Sequence, residues 1–143
     1  MKKLAILGST GSIGKQTLEV VRAFPERFEV IALAGGKNAD LLADQVQEFQ
    51  PRMVFSPTLQ QESKTLIHPL DNRAEVSTME EMAAHPDTDL VVIATSGKAG
   101  LSPTLAALRQ GKTIALANKE ILVMAGRLVT SEMEQHGAQI LPI

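Results

Sequence analysis

An α/β fold, with a doubly wound, mostly parallel sheet and helices on both faces, is what this sequence predicts. Short apolar runs of strand length alternate along the whole chain with segments of helical periodicity. The runs are continuously apolar, as strands covered on both faces must be. Turn residues, glycine above all, stand where strand should pass to helix. The 143 residues, 44% hydrophobic and 21% charged, hold material for one packed core, so a single domain over residues 1–143 is expected. No internal repeat, low-complexity tract or long linker divides them.

The elements follow in order. Lys3 to Leu7, apolar from Leu4 onward and ended by glycine, is a strand. Ser12 to Ala23 places Ile13, Leu18, Val20 and Val21 in a helical setting and stops at Phe24-Pro25, because the residue before proline avoids the α region. Phe28 to Ala34 is a second strand, and Ala39 to Phe49 a helix that stops before Pro51. Met53 to Phe55 forms a short strand, while Leu59 to Leu66 and Met79 to Ala84 read as short helices, the second with Thr78 and Glu81 as a capping box. Between those two helices, Ile67 to Val76 carries no readable pattern. Leu90 to Ala94 is the next buried strand, followed by the loop Thr95 to Gly100. Ser102 as cap and Pro103 at the first helical position open a helix that Gly111 closes. Thr113 to Leu116 is a strand, Glu120 to His136 a helix containing Gly126, and Gln139 to Leu141 a last strand.

Composition narrows the chemistry. A formal net charge of -2, scattered Lys and Arg, and no Trp or Tyr to stack on bases argue against a nucleic-acid partner. No apolar run approaches the roughly 20 residues that span a bilayer, so a soluble protein without a membrane partner is expected. With no cysteine, disulfides and thiolate chemistry drop out. His68, His85 and His136 have no metal-ligand spacing and read as surface residues.

The stretch from Gly8 to Gly14, with glycines at 8, 11 and 14, sits between a strand and a helix. Such a turn directs free backbone N–H groups and the positive end of the helix dipole at one point above the sheet, which suits a phosphate. Gly8 permits the tight turn, Gly11 the approach of a pyrophosphate, and Gly14 the close packing of helix on sheet, while Thr10 and Ser12 add hydroxyls. No Gly-Lys-Ser/Thr follows, so a dinucleotide in a Rossmann-type fold is favoured over a nucleoside triphosphate. At the end of the second strand the acid expected to bind a ribose 2′-hydroxyl is missing, and Gly35-Gly36-Lys37-Asn38 offers a cation and an amide instead. These suit a 2′-phosphate and therefore NADP; equally, Lys37 reads as a solvated loop lysine and Asn38 as a helix cap. Two later loops, Thr95 to Gly100 and Ala117 to Glu120, lie at strand ends where open parallel sheets place ligands. There Asn118, Lys119 and Glu120 present an amide, a cation and a carboxylate toward the ligand, or else Asn118 caps the helix and the other two form its exposed first turn. Lys98 reads as solvated.

The motifs ILGSTGSIG, AGGKN, AGLSPTLAAL and LANKE, in this order and at these separations, resemble the amino-terminal NADPH-binding domain of the 1-deoxy-D-xylulose 5-phosphate reductoisomerase family over nearly the whole chain. The resemblance implies an oxidoreductase that rearranges 1-deoxy-D-xylulose 5-phosphate and reduces the resulting aldehyde to 2-C-methyl-D-erythritol 4-phosphate in non-mevalonate isoprenoid biosynthesis. By the same resemblance Thr10, Gly11, Ser12 and Ile13 correspond to pyrophosphate and nicotinamide-side contacts of NADPH, and Gly36, Lys37 and Asn38 to adenosine-phosphate contacts. Asn118 and Glu120 match further cofactor contacts, and Lys119 a substrate contact. Two positions depart from the family: Thr95-Ser96-Gly97-Lys98, where many members carry smaller, less charged residues, and Ile121, where serine commonly follows the Asn-Lys-Glu motif.

In the family, the strand ending Leu-Pro-aliphatic runs into an Asp-Ser-Glu segment that begins a divalent-metal (Mg or Mn) site, and this chain stops at Ile143. The expectation is therefore an NADPH-binding part, inactive alone, with no catalytic residue or metal ligand assigned within it. The full-length protein is implied to be a cytoplasmic homodimer, or one of the plastid stroma after transit-peptide removal. Two rival readings are the cofactor domain of a homoserine- or semialdehyde-dehydrogenase-like enzyme and a non-catalytic NADP-sensing module.

Overall fold

The apolar runs form the middle of one sheet in a computed structural model of the chain, which describes residues 1–57 and 74–143. Its strands are β1 (Lys2–Leu7), β2 (Phe28–Ala34), β3 (Met53–Phe55), β4 (Glu75–Val76), β5 (Leu90–Ile93), β6 (Thr113–Leu116) and β7 (Gln139–Pro142). Among the described residues they pair in the order β4-β3-β2-β1-β5-β6-β7, every pair parallel. The helices are α1 (Ser12–Ala23), α2 (Ala39–Phe49), α3 (Met79–Ala84), α4 (Leu101–Arg109) and α5 (Lys119–His136). The sheet grows outward from β1 in one direction through β4, then restarts at β5 on the other side of β1. The boundary between β1 and β5 is thus a topological switch point, where open α/β sheets leave a crevice at the carboxyl ends of their strands.

Each central strand is apolar where both of its faces are covered, from Leu4 to Leu7 in β1 and from Val30 to Ala34 in β2. Leu4 and Ile6 of β1 join Leu33 and Val92 beneath Leu18 and Val21 of α1 and Leu42 and Val46 of α2. Ala5 and Leu7, pointing the other way, join Ile93, Ile114 and Leu116 against Met82 of α3, Ala107 and Leu108 of α4, and Ile121 and Val129 of α5. The pattern in β2 has an irregularity. Leu4 lies opposite Val30 and Ala5 opposite Ala32, so Ile31 is an extra residue. Ile31 and Ala32, though consecutive, both enter the second core, while Val30 and Leu33 enter the first. This is a β-bulge.

Helix ends mostly follow the capping chemistry in the sequence. Asn38 Oδ1 accepts from Leu41 N at 3.1 Å at the start of α2, and Thr78 Oγ1 accepts from Glu81 N at 3.1 Å at the start of α3. Gly111 and Gly137, with φ of 68° and 67°, close α4 and α5 in the left-handed region that glycine adopts freely. Outside the two cores, the Arg22 guanidinium ties α1 to α2 with bonds of 2.6 and 2.7 Å to the two oxygens of Glu48, and it stacks over Phe49. The hydrogen bonds from Arg22 hold the Glu48 carboxyl below its ordinary range.

Four particulars correct or extend the sequence reading. Ser102 does not cap α4: a 3-10 turn over Gly97–Gly100 runs straight into the helix, which starts at Leu101 with Gly100 as its uncapped first neighbour. Pro103 then falls at the third helical position, still within the first turn, whose N–H groups have no partner inside the helix. Glu75–Val76, inside the patternless stretch, is a two-residue edge strand on β3. Lastly, α5 bends at Ala125, whose φ of −141° and ψ of 31° are not helical, directly before Gly126. The helix expected at Leu59 to Leu66, and His68, lie outside the described residues.

Candidate functional site

The glycine stretch folds into the crevice at the switch point. Gly8, at φ 99°, takes a conformation that side chains other than glycine's rarely adopt, and a Cβ on it would lie 2.6 Å from the backbone carbonyl of Ala94, at the end of β5. Gly14 lets α1 press down on this turn: a Cβ there would lie 2.1 Å from the Gly8 oxygen and 2.6 Å from Ser9 Cα. Gly8 N and Ser9 N both donate to Ala34 O at 2.8 Å, which ties the turn to the end of β2. Gly11 differs from the other two. Its φ of −81° suits any residue, and a Cβ would meet only the Gly8 oxygen, at 3.6 Å. It opens α1 with no side-chain cap and no acid in the first turn, and Gly11, Ser12 and Ile13 are all exposed. The partial positive charge of the helix start is therefore left for a ligand.

Thr10 joins this loop to the next. Its Oγ1 accepts from Gly36 N at 3.2 Å, and its methyl group lies 3.2 Å from where a Cβ on Gly35 would stand. The turn from Gly36 to Asn38 is thereby brought beside the glycine loop, as both must be if one ligand spans them. Lys37 is exposed and forms no ion pair among the described residues, so its ammonium is available. Asn38 does cap α2, using its oxygen and leaving the amide NH2 exposed.

On the other side of the crevice the organising residue is Asn118, which is 5% exposed. Its Nδ2 donates to Thr95 O and Gly97 O, both at 2.9 Å, and its Oδ1 accepts from Glu120 N at 3.0 Å. Both donors of the side-chain amide and its oxygen are engaged by backbone, so this side chain clamps the loop after β5 to the start of α5. The Glu120 carboxylate stands 3.8 Å from the position a Cβ on Gly97 would take, and Lys119 is exposed on the first turn of α5. Lys98, on the 3-10 turn, is exposed as expected. A continuous path of contacts thus runs from Gly36 through Thr10 and Gly8 to Ala94, and onward from Thr95 through Asn118 to Glu120.

Among the described residues no three His, Asp or Glu side chains converge as a metal site would require. His85 Nδ1 accepts from Asp87 N within a loop, and exposed His136 lies 3.1 Å from Glu132. Among those residues, too, no helix is long and apolar enough to cross a membrane. Two features of the site were not read from the sequence. Gln45 of α2 donates through Nε2 to Ser9 O at 3.0 Å and is 3% exposed. The signal was present: Gln45 is a polar residue in the stripe that carries Leu42 and Val46. The Thr95 hydroxyl, buried beside Gly100 without a partner among the described residues, carried no comparable signal.

An all-parallel doubly wound sheet, with a glycine turn and three further loops gathered over its switch point, defines a Rossmann-type domain. The family model for 1-deoxy-D-xylulose 5-phosphate reductoisomerase matches residues 4–126. The chain belongs to that family. A 1-deoxy-D-xylulose 5-phosphate reductoisomerase from Glaesserella parasuis serovar 5 is 44% identical over 149 residues, which cover 100% of this chain and 38% of that protein. A crystal structure of DOX-P reductoisomerase in complex with NADPH, fosmidomycin and magnesium matches with TM-score 0.89 at 44% identity, over 99% of this chain and 36% of that one. The Zymomonas mobilis reductoisomerase in complex with NADPH matches with TM-score 0.87 at 36% identity, over 99% of this chain and 38% of that one. The chain therefore spans about 38% of the length of the curated relatives it matches. A homoserine dehydrogenase from Thiobacillus denitrificans, at TM-score 0.68 and 19% identity over 98% of this chain and 28% of that one, shares the fold alone.

Proposed function

We propose that this chain is the NADPH-binding domain of a reductoisomerase that converts 1-deoxy-D-xylulose 5-phosphate to 2-C-methyl-D-erythritol 4-phosphate. The observation that carries the proposal is the bond from Gly36 N to Thr10 Oγ1, which makes one anion-ready surface of two loops far apart in sequence. On that surface Gly11, Ser12 and Ile13 offer the open start of α1 to the pyrophosphate, and Thr10 borders it. Gly36 gives room for the adenosine ribose, while Lys37 and the free amide of Asn38 hold its 2′-phosphate. Across the crevice Asn118 fixes the loop over the nicotinamide side, Glu120 lines it, and Lys119 reaches for the sugar phosphate.

When bound, NADPH supplies the hydride for the reductive half of the reaction. The residues of this chain orient it: the glycine turn sets the pyrophosphate at the switch point, and the Asn118 clamp keeps the far wall of the crevice at a fixed distance from it. The Mg or Mn that would polarise the ketose oxygens has no ligand set among the described residues. Catalysis of the whole reaction, by a cytoplasmic homodimer, belongs to a protein of the family's full length. Fluorescence titration of the 143-residue chain with NADPH and with NADH tests the proposal. NADPH is expected to bind at least tenfold more tightly, and equal affinities or no binding would overturn it.

A further inference from the structure

Gln45 is the one strongly buried amide on the stripe by which α2 packs against the sheet, and leucine at the same position would match its neighbours Leu42 and Val46. Its burial is only half compensated. Nε2 donates to Ser9 O at 3.0 Å, while Oε1 has no partner among the described residues, and neither has the fully buried Ser9 hydroxyl. An amide held for stability alone would satisfy both of its ends. This one satisfies only the end that grips the glycine loop.

The grip has a geometric consequence. No peptide bond among the described residues is cis, so the Ser9 carbonyl and the Thr10 N–H point to opposite sides of one planar group. Fixing the carbonyl toward α2 fixes the N–H away from it. Gly8 N and Ser9 N are already committed to Ala34 O, whereas Thr10 N–H bonds to none of the described residues. We infer that Gln45 is a positioning residue of the phosphate loop: by holding Ser9 O it presents Thr10 N–H as a preset donor to a ligand's anionic group. This inference rests on the NADPH reading above for the identity of the ligand, and on the ligand-free geometry for the clamp itself. Gln45, buried beneath the loop, acts through the Ser9-Thr10 peptide and not by direct contact with the ligand. It also connects the two anion-binding loops, since the helix that carries it is capped at its start by Asn38.

The test compares the 143-residue chain with its Gln45→Leu and Gln45→Met variants, two substitutions of similar volume that remove the donor. Urea unfolding, fluorescence titration with NADPH, and backbone amide NMR without ligand are measured on each. The unfolding midpoint is expected to shift little, because removal of the unpaired Oε1 offsets the loss of the one partner that the Ser9 carbonyl has among the described residues. NADPH affinity is expected to fall about tenfold, the scale of one hydrogen bond to a charged group. The Thr10 amide signal of the free protein should split or broaden while those of α2 stay sharp. Wild-type affinity together with an unchanged Thr10 signal in either folded variant would overturn the inference. If the unsubstituted chain binds no NADPH, the NADPH reading fails, and the Thr10 signal alone then decides whether the clamp exists.

Discussion

Gly11 and Gly14 lie one helical turn apart, yet substitutions at them should fail in opposite ways. At Gly11 the backbone is extended, with φ −81° and ψ 178°, and a Cβ would find only the Gly8 oxygen, at 3.6 Å. Gly11→Val should therefore fold, losing about 1 kcal/mol because valine is a poorer helix cap than glycine. The valine methyl groups would occupy the open space above the start of α1, which is where a pyrophosphate must come. If two first-turn N–H bonds to the anion are lost, at about 1.5–3 kcal/mol each, the loss is about 3–6 kcal/mol. That is a fall in NADPH affinity of roughly 10² to 10⁴-fold. Gly14→Ala presents the reverse case. Its methyl would stand 2.1 Å from the Gly8 oxygen and 2.6 Å from Ser9 Cα, both backbone atoms that cannot rotate aside. Overpacking of this kind costs about 1–3 kcal/mol or more of stability. Urea unfolding and NADPH titration of both variants separate the two effects. A Gly11→Val protein that folds and binds normally would place the phosphate elsewhere, and a Gly14→Ala protein of wild-type stability would refute the close packing of α1 on the turn.

Three further outcomes are expected. Lys37→Ala should reduce the preference for NADPH over NADH, and raising the salt concentration should reduce the same preference in the unsubstituted chain, since Lys37 is exposed; unchanged ratios in titrations of both cofactors would remove it from the 2′-phosphate site. Lys119→Ala should leave NADPH affinity within about twofold, less than 0.5 kcal/mol, because the lysine is assigned to the sugar phosphate; a large loss would move it into the cofactor site. The Glu48 carboxyl is held low by its bonds to Arg22, so the pair stabilises the fold above the ordinary carboxylate pKa and stops doing so as pH falls through the lowered value. Glu48→Gln should therefore be less stable at pH 7 by under about 1 kcal/mol, the pair being half exposed, and the difference should vanish on acidification below that range, as read by urea unfolding at stepped pH.

What the sequence made legible follows from where the information resides. β1, β2, β5 and β6 were readable because strands buried on both faces must be apolar at every position, and Leu4 to Leu7 or Leu90 to Ile93 satisfy that locally. Glu75–Val76 was not, since two residues on a sheet edge bury too little to impose a pattern. The start of α4 was misread because Ser102-Pro103 is good capping chemistry, but the preceding 3-10 turn had already brought the chain into helical geometry at Leu101. In the site, the glycine spacing announced the turn, since φ 99° at Gly8 and contact at Gly14 are demands that a sequence records as glycine. The clamps were harder to foresee. Asn118 bonds to residues 21 and 23 positions earlier, and Gln45 to one 36 positions earlier, so each role exists only once the strands are ordered.

The extra residue in β2 gives the sheet one place where the chain could change length without moving the ligand end. Excising Ile31 would leave Val30 opposite Leu4 and Ala32 opposite Ala5, joining the two ladders that the bulge now separates. Leu33 and Ala34 would keep their faces and partners, so the Ala34 oxygen that anchors Gly8 and Ser9 would stay in place at the expense of one buried isoleucine side chain. β1 has no such slack. Losing one residue from it would turn each later side chain of the strand to the opposite face and carry Gly8 out of its contact with Ala94. A one-residue deletion is therefore compatible with the register on the β2 side of the glycine turn and incompatible with it in the strand that carries the turn.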